Sequence, residues 1–193
     1  MKPKGCLLMN RFYFSTLVTT ICLLFVSQAL ALDGYRDRRG LFYGVGFGGG
    51  QTKADVDGAD GHIGYNFRAR VGGGIDKELT LDAEIGLNSV AYSQSGLDVT
   101  QDITTVAVGG SIFVNQGLYL RVQGGIAEMT IETELGPVSE SDSQTGLFVG
   151  VGAGYEFFAN ADLAIGLGVD FQHQMYDDGN LNALNLGITA NWY

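Results

Sequence analysis

From about residue 41 onward, apolar and polar positions alternate with period two, the spacing of a strand with one greasy and one polar face. The clearest stretch sets Ile63, Tyr65, Phe67, Ala69, Val71, Gly73 and Ile75 against His62, Gly64, Asn66, Arg68, Arg70, Gly72 and Gly74. Leu41–Gly49, Glu78–Ala91, Ile103–Val114, Leu118–Ala127, Gly146–Phe158, Leu163–Met175 and Leu181–Tyr193 repeat the pattern, most weakly in Ile103–Val114, where Phe113 lands on the small-residue face. These segments are near the roughly 9–11 residues that a tilted strand needs to cross a bilayer. Their connections alternate in kind. Asp76-Lys77, Asn115-Gln116-Gly117 and Ala159–Asp162 read as tight turns, whereas Gln51–Gly61, Tyr92–Thr100 and Glu128–Ser143 read as long, polar, acidic loops.

Eight alternating strands with loops sorted by length predict an all-β fold, an eight-stranded antiparallel up-and-down transmembrane β-barrel. The apolar face then points to lipid and the polar face inward, filling an interior just wide enough for side chains. Seven charged residues fall on that inner face: Arg68, Arg70, Asp82, Glu84, Arg121, Glu156 and Asp170. Arg68 and Arg70 are expected to pair with Asp82 and Glu84 on the adjacent strand, the others extending the network and plugging the interior. Removing one partner of such an enclosed pair costs about 3–5 kcal/mol. The glycine-rich inner face leaves a second reading open, a narrow channel or small-ligand transport path.

The last strand, LNALNLGITANWY, supplies the barrel-closing end, Gly187, Trp192 and Tyr193. Its outward face ends at Trp192, an interface-girdle residue. Tyr193 falls on the inner side as an end cap, so its deletion is expected to be tolerated better than Trp192→Ala.

The first residues change the picture of compartment. Lys2, Lys4 and Arg11 precede a mostly apolar Phe14–Val26, and Ala29-Leu30-Ala31 offers a small-x-small site, so residues 1–31 are expected to be a signal peptide cleaved after Ala31. Met9 is an alternative start. Residues 32–39 are expected to form a short, solvated periplasmic lead, and 40–193 the barrel. Both cysteines, Cys6 and Cys22, leave with the signal, and with them any disulfide, thiolate metal site or thiol nucleophile. Of the 11 basic residues, Lys2, Lys4 and Arg11 also leave while all 21 acids stay, so the formal charge moves from −10 to −13. That sign argues against nucleic acid as a partner.

Gly40-Leu41-Phe42-Tyr43-Gly44-Val45-Gly46, the run from Gly146 to Glu156 (GLFVGVGAGYE) and the aromatic end Trp192-Tyr193 are similar to the small eight-stranded outer-membrane β-barrel family, the OmpA-transmembrane-domain and OmpX type, also known as porin-family proteins. The resemblance covers residues 40–193 and identifies an architecture. It implies residence in the outer membrane of a Gram-negative-type envelope, with termini periplasmic and long loops extracellular. It further implies contact with outer-membrane lipid and lipopolysaccharide, insertion by the barrel-assembly machinery, a monomer, and a role in envelope integrity, adhesion or contact with host surface or matrix. No cofactor is implied. The peptidoglycan-binding activity of larger relatives is not expected, since no further domain follows Tyr193.

Catalysis is not expected. Some barrels of this size modify lipid A with a His, a Ser and a carboxylate, but His62 and His173 lack a serine at strand spacing. Asp55, Asp57 and Asp60 resemble a cation loop, yet Ala59 stands where a carboxylate is wanted and no Glu follows at the right distance, so no metal is assigned.

Overall fold

Three reversals are built alike. The side-chain oxygen of Asp76 accepts from the backbone N–H groups of Glu78 and Leu79 (2.8 and 2.7 Å). That of Asn115 accepts from Gly117 and Leu118 (3.1 and 2.8 Å), and that of Asn160 from Asp162 and Leu163 (3.0 and 2.8 Å). A short polar side chain that satisfies two turn amides is the reason Asp and Asn favour such positions.

The computed structural model describes residues 38–56, 60–94, 97–135 and 138–193. The chain divides into Met1–Arg36 and a compact unit Asp37–Tyr193, and every described residue belongs to the second. The expected signal 1–31, most of the lead 32–39 and Asp57 lie outside the described residues.

The three turns join strands of a closed barrel: β1 (Gly40–Ala54), β2 (Gly61–Gly74), β3 (Leu79–Gln94), β4 (Leu97–Phe113), β5 (Leu118–Leu135), β6 (Val138–Phe158), β7 (Leu163–Tyr176) and β8 (Gly179–Trp192). Each strand is antiparallel to the next, and β1 closes on β8 from Tyr43↔Trp192 to Ala54↔Leu181. The expected fold class is the observed one. Closure leaves no edge in the belt where backbone groups would otherwise meet hydrocarbon unpaired.

The barrel is inside out relative to a water-soluble one. Ile63 is 78% exposed and Val108 71%, and Leu41, Phe47, Leu147 and Ile188 also face outward. Asn66, Asp82, Gln123, Glu156, Gln174 and Asn191 are buried within. At the short-turn end Trp192 stacks on outward-facing Tyr43, ring centroids 5.4 Å apart and planes 12° off parallel, the amphipathic pairing suited to a membrane interface.

The strands run further than their apolar positions do. Gln51–Ala54 and Tyr92–Gln94 continue β1 and β3, and the expected acidic loop Glu128–Ser143 is a hairpin whose pairing reaches Leu135↔Val138. Polar residues read as loop only where strand formation depends on burying one face. Here the outward face turns polar while Thr52 and Met129 stay buried inside, and the ladder itself holds the strands, aided by cross-strand pairs such as Thr130 Oγ1 with Ser143 Oγ (3.0 Å) and Ser93 Oγ donating to Asp98 (2.6 Å).

Candidate functional site

Alternation fixes which side chains enter the interior, and their lengths decide whom they meet. Arg121 on β5 forks onto Asp82 of β3, Nη1 to Oδ2 and Nη2 to Oδ1, both 2.6 Å. Its Nη2 also reaches Glu84 (3.3 Å), and its Nε donates to Gln123 (3.1 Å). At 6% exposure this is a bidentate pair in a low-dielectric setting, the strongest geometry available to Arg. Arg68 crosses the interior to Asp170 on β7, whose other oxygen accepts from Asn185 (3.0 Å). Arg70 donates from Nε to Asn191 (3.0 Å), and Asn191 donates to Glu156 (2.7 Å). The expected pairing of Arg68 and Arg70 with Asp82 and Glu84 is therefore corrected. Arg70 stands directly across from Glu84 in register, but Arg121 takes both acids and the two β2 arginines turn to β7 and β8.

The short-turn end is closed by a residue that sequence reasoning placed in solvent. Arg38 is 3% exposed and enters the barrel beneath β1. Its Nε donates to Glu156 (3.0 Å), its Nη2 to the carbonyl of Gln116 (2.9 Å), and its guanidinium lies 3.7 Å from the Phe113 ring centroid. Gly40, at φ +102°, turns the chain from this inward position into β1. A Cβ on Gly74 would collide with the Arg38 carbonyl, so the passage needs glycine there. The solvated lead is thus corrected at Arg38. The seven expected charges sum to −1; Arg38 brings the enclosed set among the described residues to four guanidinium and four carboxylate groups. The odd acid was the signal in the sequence that a base was missing.

Tyr193 completes this stopper. Its ring packs between Phe42 and Phe158, centroids 5.2 and 5.6 Å away, and its hydroxyl donates to Glu156. Burial, then the Glu156 charge, pushes its phenol well above the usual tyrosine range. This is more than an end cap holds. Gly187 lies opposite Gly48 of β1 and Gly168 of β7; a Cβ at Gly48 would meet the β8 backbone, and one at Gly168 the Tyr119 hydroxyl.

Toward the long-loop end the filling turns apolar: Ile103, Ala107, Ala127, Met129, Phe148 and Tyr176 pack together inside β4–β7. Between this cluster and the stopper lies a void of about 20 Å³ beside Thr189, room for about one water. His62 is stacked on Tyr92 (3.7 Å), while His173 faces outward with Nδ1 2.8 Å from Asn182 Oδ1. Among the described residues no three His, Cys, Asp or Glu side chains converge as metal ligands.

At the long-loop rim the barrel is uneven. Pairing of β2 with β3 stops at Tyr65↔Ser89 and that of β6 with β7 at Leu147↔Met175, while β3–β4 continues to Gln94↔Leu97 and β5–β6 to Leu135↔Val138. A four-stranded wall, β3–β6, therefore stands above the rest. Among the described residues, 90–94 on β3 and 138–146 on β6 have no strand partner on their outer edge, although Tyr92 stacks on His62 and Gln144 donates to Asp178; the β6 edge is roughly 30 Å of strand at about 3.3 Å per residue. Asp98, Asp102, Glu128, Glu132, Glu140 and Asp142 lie on it, and residues 88–146 contain no base except enclosed Arg121.

The family described as the outer membrane protein beta-barrel domain matches residues 18–193. No curated protein matches. Among solved structures the chain is similar to Ail, the attachment invasion locus protein of Yersinia pestis (18% identity, 78% of this chain and 98% of that one, TM-score 0.57). It is similar also to neisserial surface protein A (15% identity, 80% and 99%, TM-score 0.57). Ail in complex with the heparin analogue sucrose octasulfate matches at 18% identity, 79% and 99%, with a TM-score of 0.58. At these identities the likeness is one of fold.

Proposed function

The chain belongs to the outer membrane protein beta-barrel domain family, and on that premise we propose that it is a non-conducting surface barrel whose wall docks a partner outside the cell. One observation carries the docking: β3–β6 continue beyond the closed barrel with both edges unpaired. Free backbone N–H and C=O groups in a row are the template for strand addition. Short turns and both described chain ends share one end, which we assign to the periplasm; the wall is then extracellular.

The wall also selects. Carrying acids and no exposed base, it suits a cationic or neutral extended segment of a host surface or matrix protein. It does not suit a sulfated polysaccharide, and here it parts from Ail, which has been solved with a heparin analogue. Two seals support a barrel without transport: the Arg38–Phe113–Phe158–Tyr193 stopper and the apolar cluster around Phe148. The geometry around His62 and His173 supports a structural rather than enzymatic role. A signal removed after Ala31, assembly by the barrel machinery, monomeric state and contact with outer-membrane lipid and lipopolysaccharide belong to the same reading.

Excising 129–144 and joining Glu128 to Thr145, which face each other across β5–β6, shortens the wall without touching the belt. The shortened barrel is expected to insert normally and to lose binding to host cells or matrix protein. Undiminished binding would overturn the docking reading.

A further inference from the structure

Lys53, Asn182 and His173 share one rung of the sheet. Lys53 faces Asn182 across β1–β8, and Asn182 faces His173 across β8–β7. Their chain neighbours Thr52, Ala183, Gln172 and Gln174 are buried inside, so these three point outward. Two residues nearer the short-turn end, the outward rung is Gln51, Leu184 and Phe171, and below it Gly49, Leu186 and Val169. On β1 and β8 the row thus ends the apolar belt, near the level where lipid headgroups lie, while on its β7 side outward Val149 stands level with His173 and Leu147 and Met175 one rung beyond.

Its charge is out of keeping with its surroundings. Among the described residues Lys53 and His173 are the basic side chains on the outward face of the long-loop half, which otherwise carries acids. The nearest carboxylate along the strand is Asp55, in the bend beyond β1. Two strand spacings, about 10 Å, separate the Lys53 and His173 backbones, with Asn182 midway. Asn182 Oδ1 is an acceptor, so the 2.8 Å contact makes His173 Nδ1 the donor and fixes the ring. That leaves the Asn182 amide N–H groups and the Lys53 ammonium as outward donors on adjacent strands, with His173 holding the amide in place.

We propose that the Lys53–Asn182–His173 row holds the phosphate of an anionic lipid headgroup, its acyl chains lying down Leu184, Phe171, Leu186 and Val169. This rests on the reading that the barrel spans the membrane with its wall outward. The ligand is lipid-borne rather than free phosphate because the donors adjoin an apolar track that a free ion would not use. An ammonium beside amide N–H donors matches phosphate better than a zwitterionic headgroup, whose own ammonium cancels the attraction.

The test uses the whole barrel reconstituted in vesicles of phosphatidylcholine with phosphatidylglycerol. Vesicle flotation reports insertion, and native mass spectrometry reports retained lipid. The wild type is expected to enter the vesicles and retain phosphatidylglycerol in preference to phosphatidylcholine. Lys53→Gln should weaken that retention about tenfold, the loss of one bond to a charged group. Asn182→Asp, which sets a carboxylate among the donors, should abolish it, and Lys77→Gln at the short-turn end should leave it intact. Equal retention by wild type, Lys53→Gln and Asn182→Asp, all inserted, would overturn the site. Displacement of the lipid by millimolar inorganic phosphate would overturn the lipid as its ligand. Failure of every form to enter vesicles would instead sink the membrane reading, and the site with it.

Discussion

Glu156 accepts hydrogen bonds from Arg38, Asn191 and Tyr193, and is 1% exposed. A carboxylate so enclosed is tolerable only while its donors stay in place. Arg121 with Asp82 is the same problem solved by one fork. Arg121→Ala is expected to lower the stability of the folded barrel by about 3–5 kcal/mol, read from urea midpoints in detergent, whereas Lys77→Ala at a turn should change it by less than about 0.5 kcal/mol. Tyr193 adds a pH dependence. Its phenol holds its proton more tightly folded than unfolded, so its stabilisation is complete below the unfolded tyrosine range near pH 10 and is lost as pH rises toward the folded value. Tyr193→Phe is expected to be the more alkali-resistant form, its melting temperature falling less between about pH 9 and 11 than the wild type's. Because Tyr193 is packed on Phe42 and Phe158, its deletion should now damage stability at least as much as Trp192→Ala, reversing the order expected from the sequence. Which residues face inward was legible, since period two needs only composition. Who pairs with whom was not. Arg68 finds Asp170, 102 positions along the chain, because an arginine is long enough to cross a narrow interior and need not choose its strand neighbour.

At the scale of elements, the belt of each strand was legible and its upper reach was not. Leu118–Ala127 announces itself by lipid-facing Leu118, Leu120, Val122 and Ile126; the stretch after it looks like loop because the outward positions turn polar at Glu128, Thr130 and Glu132 although Met129 still packs inward. The turns were legible at Asp76 and Asn115 because one side chain does the work locally. Arg38 was missed because nothing local marks it: its burial is decided by Glu156 and Phe113, far along the chain. The unpaired β6 edge invites a specific disruption. Proline at Ser141 or Asp142, whichever has its N–H on the open side, is expected to reduce partner binding while leaving membrane insertion unchanged, since proline removes the donor that strand addition uses. If neither substitution reduces binding, the edge is not the docking element.

At the scale of the molecule, the proposed double seal gives a sharp electrical expectation. In planar bilayers the wild type should show no stepwise conductance. Arg38→Ala alone should stay silent because the Phe148 cluster still blocks the far end, and only its combination with Phe148→Ala should conduct. Open-channel steps from the wild type would remove the plug proposal and restore the transport reading.

One carboxylate also tells the molecule whether it is finished. Glu156 belongs to β6, yet its donors come from the residue ahead of the first strand and from the end of the last. The two β8-end donors come with the β6–β7–β8 ladder, whereas Arg38 comes from the chain just ahead of β1. A seam slipped by a rung would cost Glu156 its charged donor while its two β8-end donors stay in place. The fit of β1 against β8 is thus felt two strands away, by a group that takes no part in their own hydrogen-bond ladder.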